Sequence, residues 1–405
     1  MKKKILMLLT RNPYPVDNGR KSILAQTISF LKDDYEICTL VFANEEIDFE
    51  TYKQHGVSEV QRLFLPSKLE MIKNMICMSK SSLQERIYYS EKAKKDIEYA
   101  IKEFNPDILY ADMIRTAQYI EDKEKSKIVD IDDLLSIRYQ RFIMDQESSI
   151  LGTFNHLIPP VIRYTLETFF KNIILNYEIQ LISVREREIV KKFDASFLVS
   201  KKETNAFKQE TLLNNIYVNT QAISLRKNIY SQHTENHMVF IGNMSTAQNL
   251  SSLKMIVHEI LPALKTKYKL FVIGKYDIRT TKIVKDNKNI ELLGYVENLE
   301  NALKNIKLAF MPISFGSGIK TKILDCMSYG IPVLTNDVGN EGLSTQNLKD
   351  IILLENNELS YNKLVDMLDD TEKLDSIGQE GYKYIEKNHN FENLKLNFLN
   401  VLKRI

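Results

Sequence analysis

At 405 residues, 44% hydrophobic and 27% charged, the chain has the composition of a soluble globular protein long enough for two separate cores. Its 55 basic and 53 acidic side chains leave a formal charge of +2, which excludes a whole-surface electrostatic case for nucleic acid. Cys38, Cys77 and Cys326 stand at no paired spacing, so a reducing, cytoplasmic setting is expected.

The first apolar run, Ile5 to Leu9, is too short for a signal-peptide core and runs straight into Arg11, so it reads as a buried strand. Further strand-length runs stand at Glu36–Phe42, Ile108–Ala111, Lys127–Ile131 and Ala195–Val199. The second half repeats the grammar near Met238–Ile241, Leu270–Ile273, Ile290–Leu293, Leu308–Pro312 and Pro332–Thr335. Alternation of such runs with longer helical patterns predicts parallel sheets built of βαβ units, hence an α/β chain with two Rossmann-like domains. The polar, weakly patterned stretch 214–236 reads as a linker between a first domain over 1–213 and a second over 237–388.

Three stretches have more than one reading. Lys2, Lys3, Lys4, Arg11, Arg20, Lys21 and Lys32 are opposed before position 33 only by Asp17, which suits an anionic ligand, a membrane surface or a solvated patch. Leu63–Leu83 mixes Met71, Ile72, Met75, Ile76 and Met78 with Lys68, Lys73 and Lys80, which fits a membrane-contacting helix or a core or groove helix. Ile150–Lys192 is helical in pattern and rich in aromatics, interrupted by Pro159-Pro160, and is expected to pack over the first domain, shape a groove or touch a bilayer. No run reaches the roughly 18 apolar residues of a membrane helix. His233 and His237 are four apart but have no cysteines nearby, so no structural zinc is expected.

The densest chemistry lies in 311–333, where an apolar strand enters a turn containing Gly316 and Gly318 and the turn opens a helix carrying Lys320, Lys322 and Asp325. Glycines let backbone N–H groups approach phosphate closely, and a helix N-terminus offers unpaired donors and the positive end of a dipole. At about 100° per residue, Ile319, Ile323, Cys326 and Met327 form an apolar arc, while Gly318, Lys322, Asp325 and Tyr329 gather opposite. Lysines in a first helical turn oppose the dipole, a cost that becomes a gain when a diphosphate sits between them and the helix end. The plainer reading is an amphipathic helix with a solvated Lys322–Asp325 pair.

Two such halves with this late helix resemble a GT-B glycosyltransferase of the family-four kind, most like bacterial enzymes of exopolysaccharide and capsule assembly. The resemblance covers nearly the whole chain. It rests on Arg11 to Arg20 as the first βα loop, on Phe193 to Ser200 followed by Glu203, and on Val239 to Met244 with Asn249 and Leu261-Pro262 downstream. Gly294-Tyr295-Val296 and Asn340 to Leu343 also match. It implies two Rossmann-like β/α/β domains facing across a cleft, with a C-terminal helix over 389–405 returning to the first domain. It implies a retaining hexosyltransferase that takes a nucleotide-diphosphate sugar as substrate, with no cofactor and no metal. The acceptor would be a glycan or lipid-linked intermediate, handled in the cytoplasm or at the inner face of the cell membrane.

By that resemblance the donor's phosphates and sugar fall to Gly19, Arg20, Gly242, Asn243, Gly316, Ser317, Gly318, Ile319, Lys320, Lys322 and Asp325, and the nucleoside to Tyr295, Val296 and Glu341. Asp132, Asp133, Lys322 and Asp325 are the catalytic candidates. The chain departs from the family at three places. Of two acids eight positions apart, only Asp325 is present and Ser317 fills the other position; the usual Arg and Lys after the first glycine read Asn243 and Gln248; and Asp132 replaces a strand-end histidine. Asp130 and Asp132 also spell Asp-x-Asp, and in a strand both point to one face, where a divalent ion is geometrically feasible. Two alternatives stay open: a sugar-nucleotide 2-epimerase of the same fold, and a non-catalytic GT-B subunit partnering another transferase.

Overall fold

The run Ile5 to Leu9 is wholly buried, because a central parallel strand is covered on both faces and every residue, not every second one, must be apolar. This is β1 (Lys3–Leu9) of a computed structural model that describes residues 2–78, 81–144, 171–230, 236–264, 268–314, 318–355 and 365–405. The chain divides into two units, residues 1–220 with 397–405, and residues 221–396.

The first unit holds a seven-stranded parallel sheet in the order β3-β2-β1-β4-β5-β6-β7. Its members after β1 are β2 (Tyr35–Phe42), β3 (Glu59–Leu63), β4 (Ile108–Asp112), β5 (Ser126–Asp132), β6 (Ala195–Leu198) and β7 (Ile216–Val218). The helices used below are α1 (Gly19–Leu31), α2 (Lys68–Cys77), α3 (Leu135–Met144) and α4 (Lys171–Lys192). The stretch read as a linker from 214 begins with β7, which pairs with β6 at Ser196, Phe197 and Leu198. Residues 150–170 of the expected helical stretch lie outside the described residues; α4 is its remainder. Phe398 near the C-terminus stacks on Phe197 at 4.7 Å within this unit.

The second unit holds a six-stranded sheet in the order β10-β9-β8-β11-β12-β13, again parallel throughout. The strands are β8 (His237–Ile241), β9 (Lys269–Ile273), β10 (Ile290–Gly294), β11 (Leu308–Phe310), β12 (Val333–Thr335) and β13 (Ile352–Leu353). Three further helices matter here: α5 (Ala247–Met255), α6 (Thr321–Ser328) and α7 (Phe391–Leu402), the last of which runs on into the 397–405 segment of the first unit.

In both sheets the order reverses beside the first strand, between β1 and β4 and between β8 and β11. Loops that leave adjacent strands in opposite directions at such a point open a crevice at the carboxyl ends, where α/β folds bind ligands. Among the described residues, no helix is long and apolar enough to cross a membrane. Cys38 and Cys326 are buried, Cys77 is exposed, and all three are free thiols.

Candidate functional site

At the switch point of the second unit, the loop after β8 and the helix after β11 are joined through one side chain. Asn249, in the first turn of α5, donates from Nδ2 to the Asn243 carbonyl at 3.0 Å and accepts at Oδ1 from the Lys322 amine at 2.7 Å. The Lys322 Nζ also lies 4.8 Å from the centroid of the Phe240 ring. A Cβ at Gly242 would stand 2.8 Å from the Asn249 amide and displace it. Gly274 is required: its φ is +126°, and a Cβ would stand 2.0 Å from the Gly242 carbonyl oxygen.

The approach to α6 is braced from two sides. Asn336 accepts from the Ile313 N–H at 3.1 Å and donates back to the Ile313 carbonyl at 2.8 Å. Ser314 donates its N–H to Ser252 Oγ of α5 at 3.1 Å. Gly318 turns the chain at φ +76°, and Lys320 is the N-cap residue, folding its amine onto the Gly318 carbonyl at 2.6 Å. A lysine cannot accept hydrogen bonds, so it leaves the first N–H groups of α6 without a side-chain cap. An uncapped helix start flanked by Lys320 and Lys322 is a concentration of positive potential.

Burial, reinforced by the neighbouring Lys320 charge, pushes the Lys322 amine down to about 8. Burial likewise pushes the Asp325 carboxyl up to about 6, opposed by Arg226. Among the described residues no ion pair joins Lys322 to Asp325; the solvated pair is replaced by half-buried groups with other partners. Ile323, Cys326 and Met327 of the predicted apolar arc are fully buried.

Gly242, Asn243, Gly318, Ile319, Lys320, Lys322 and Asp325 thus gather around one helix start. Gly316 and Ser317 lie outside the described residues. Glu341 belongs to the same neighbourhood, because a Cβ on adjacent Gly342 would meet Ile319 Cγ1 at 2.9 Å. Tyr295, 76% exposed, and Val296 follow β10, two strands from β8 and so about 10 Å across the sheet. Ser252 and Asn336 are site-building residues that the sequence pattern did not single out.

In the first unit the switch point is filled by a buried ion cluster. Arg20, placed by the start of α1, donates Nε and Nη2 to Asp112 at 2.9 and 2.5 Å, Nη1 to Asp130 at 3.0 Å and Asp132 at 3.3 Å, and Nη2 to the Asp130 carbonyl at 3.2 Å. Those bonds occupy all five guanidinium N–H groups. Arg20 is therefore corrected from phosphate ligand to structural cation: it is 8% exposed and committed to three carboxylates. Thr10 and Tyr110 donate hydroxyls to Asp112 and Asp130 at 2.5 and 2.8 Å, and the Asn219 amide donates to Asp130 at 2.9 Å. Burial leaves Asp130 raised above the ordinary carboxylate value, whereas Arg20, Arg11 and Thr10 outweigh burial at Asp112 and hold it below.

The Asp130–Asp132 pair does share a side, and the cation against it is Arg20. Asp132 adopts φ +76° where the β5–β6 register shifts, a strained conformation of the sort concentrated at functional positions. Asp133 is held by the Arg138 guanidinium, with Nε donating to Oδ2 at 2.6 Å. A Cβ on Gly19 would enter open space. The N-terminal basic residues do not form one patch: Lys2 to Lys4 and Arg11 stand at opposite ends of β1, about 20 Å apart.

Two Rossmann-like units, each with its switch point at the carboxyl ends of a parallel sheet, are the architecture of the GT-B fold. Residues 235–370, within the second unit, match the family model of group 1 glycosyl transferases. S. aureus TarM superposes with a TM-score of 0.64 at 11% identity, covering 99% of both chains. Anabaena HepE in complex with UDP gives 0.62 at 12% identity, covering 100% of both. In sequence the chain is 21% identical, over 95% of its length and 96% of the relative's, to an uncharacterized 44.6 kDa protein in the cps region of Klebsiella pneumoniae.

Proposed function

We propose that the chain is a family-four, retaining glycosyltransferase that moves a sugar from a nucleotide-diphosphate donor to a polysaccharide or lipid-linked glycan in bacterial surface-glycan synthesis. The observation that carries this reading is the Lys322 amine, held by Asn249 beside the uncapped start of α6. As the glycosidic bond to phosphate breaks, negative charge grows on the departing diphosphate and positive charge on the anomeric carbon. Preorganised donors in a half-buried setting stabilise the first most effectively. Lys322, Lys320 and the N–H groups of α6 are assigned that task. Asp325 accepts hydrogen bonds from donor hydroxyls when ionised, and Glu341 and the Tyr295-Val296 backbone are assigned to the nucleoside.

In the first unit, Asp132 is assigned to the acceptor side, with Asp133 supporting it through Arg138, and the open backbone at Gly19 is assigned to the donor. With the diphosphate charge met by lysines, transfer is proposed to need no metal and to survive chelation. The cps-region relative and the UDP complex of HepE support a nucleotide-sugar donor and a surface-glycan product.

Thermal-shift and calorimetric titration with UDP, GDP, CMP and the corresponding sugar nucleotides tests this reading. Binding of one nucleoside diphosphate is expected; failure of all of them points to a non-catalytic GT-B subunit. Anomeric configuration of the product, read by NMR, tests retention.

A further inference from the structure

Helix α2 turns its most apolar face outward. The side turned inward mixes half-buried Met71 with Asn74, which is buried and donates to the carbonyls of Arg86 and Tyr89 at 3.0 and 2.7 Å. Glu70 is committed to a capping box, accepting the Ser67 N–H at 2.8 Å. The side turned outward is apolar, with Leu69 80%, Ile72 60% and Ile76 73% exposed.

At about 100° per residue these three side chains fall within an arc of about 60°, and Lys68 and Lys73 stand about 40° beyond its two edges. Just before the helix, exposed Phe64 has the Arg62 guanidinium at 4.4 Å and the Lys92 amine at 5.3 Å from its ring centroid. An apolar ridge fenced by cations on both sides has the charge and shape complement of an anionic lipid surface. Its aliphatic side chains reach the acyl boundary while the lysines extend to the headgroup phosphates. A second copy of the same ridge fits poorly, because an isologous contact sets Lys68 and Lys73 against their own kind.

We infer that α2 docks the protein onto anionic membrane, with Leu69, Ile72 and Ile76 entering the interface and Lys68, Lys73, Arg62 and Lys92 pairing with lipid phosphates. This deepens the reading of a lipid-linked or surface-glycan acceptor and rests on it for its purpose, while the docking geometry stands apart from the donor site.

The test is flotation of the full chain with vesicles of phosphatidylcholine alone or mixed with anionic phosphatidylglycerol, at low and high salt. Expected is capture by the anionic vesicles that weakens with salt. A Leu69→Ser/Ile72→Ser/Ile76→Ser variant is expected to lose at least about tenfold in partitioning, and Lys68→Glu/Lys73→Glu to lose the dependence on anionic lipid. Both keep the wild-type circular dichroism and UDP binding, since none of these residues belongs to the donor site. No wild-type capture, equal capture of the serine variant, or an α2-dependent dimer in sedimentation without vesicle binding each overturns the docking inference. Failure of UDP binding by the wild type overturns the donor reading instead.

Discussion

The Lys322 amine donates to Asn249 Oδ1 at 2.7 Å, and this bond joins the helices α5 and α6 that follow the neighbouring strands β8 and β11 at the sheet's switch point. Asn249 also donates to the Asn243 carbonyl, so its amide fixes both the loop after β8 and the position of the cation. A hydrogen bond to a charged group contributes about 1.5–3 kcal/mol. Asn249→Ala is therefore expected to weaken nucleoside-diphosphate binding roughly tenfold or more. Gly242→Ala, which drives a methyl group into the same amide, should do likewise. Calorimetric titration with UDP reads both; unchanged affinity in both variants removes Asn249 from the site.

Lys322→Ala removes the cation itself. Deleting a preorganised group that stabilises developing charge costs about two to three orders of magnitude in turnover. Stability should hold or rise, because the amine is disfavoured by burial in the folded chain. Steady-state transfer beside thermal unfolding separates a lost clamp from a lost fold; near-normal turnover in a folded variant removes the clamp.

The pH dependence has a definite sign. Lys322 is charged below its folded value of about 8, so affinity for a diphosphate falls as pH rises through 8. Asp325 is charged only above about 6, so its acceptor role fades as pH falls through 6. The free-enzyme profile of kcat/KM should form a bell between those values. Lys322→Arg keeps its charge through the alkaline range and should flatten the upper limb. For folding, the depressed Lys322 value means the unfolded chain binds more protons above about pH 8, so this group's contribution to stability rises from there toward its unfolded value.

Arg20→Ala leaves Asp112, Asp130 and Asp132 without their cation. Removing one member of a buried ion cluster costs about 3–5 kcal/mol, so a large loss of stability in the first unit is expected. Urea unfolding should show it, and Arg20→Lys should restore little, because one amine cannot reproduce the fork that reaches three carboxylates. Wild-type stability in Arg20→Ala would instead return Arg20 to the ligand.

The central strands were legible because burial on both faces writes unbroken apolar runs such as Ile5 to Leu9. The edge strands were not. β3 reads Glu-Val-Gln-Arg-Leu and is half-exposed, β7 is three residues in a polar stretch, and β13 is two. Short, polar edges protect a sheet from further pairing and for that reason carry little hydrophobic signal. At the site, the local motif from Gly318 to Asp325 could be read as a helix start with cations. Its partner Asn249 is 73 residues away, and a pairing at that separation leaves no trace in spacing. Arg20 failed for the same reason: a basic residue after a loop glycine looks like a phosphate ligand until Asp112, 92 residues on, is placed beside it.

Whether the chain transfers or epimerises is decided by incubation with a sugar nucleotide alone. Transfer predicts no new epimer and slow hydrolysis at most, and accumulation of a 2-epimer would favour the isomerase.

The most direct measurement is calorimetric titration of wild type and Lys322→Ala with the nucleoside diphosphate that stabilises the wild type. Saturable binding by the wild type and a loss of about a hundredfold or more in a variant of unchanged fold is the predicted result. Equal affinity in the two proteins, or no binding of any nucleoside diphosphate by the wild type, would contradict it.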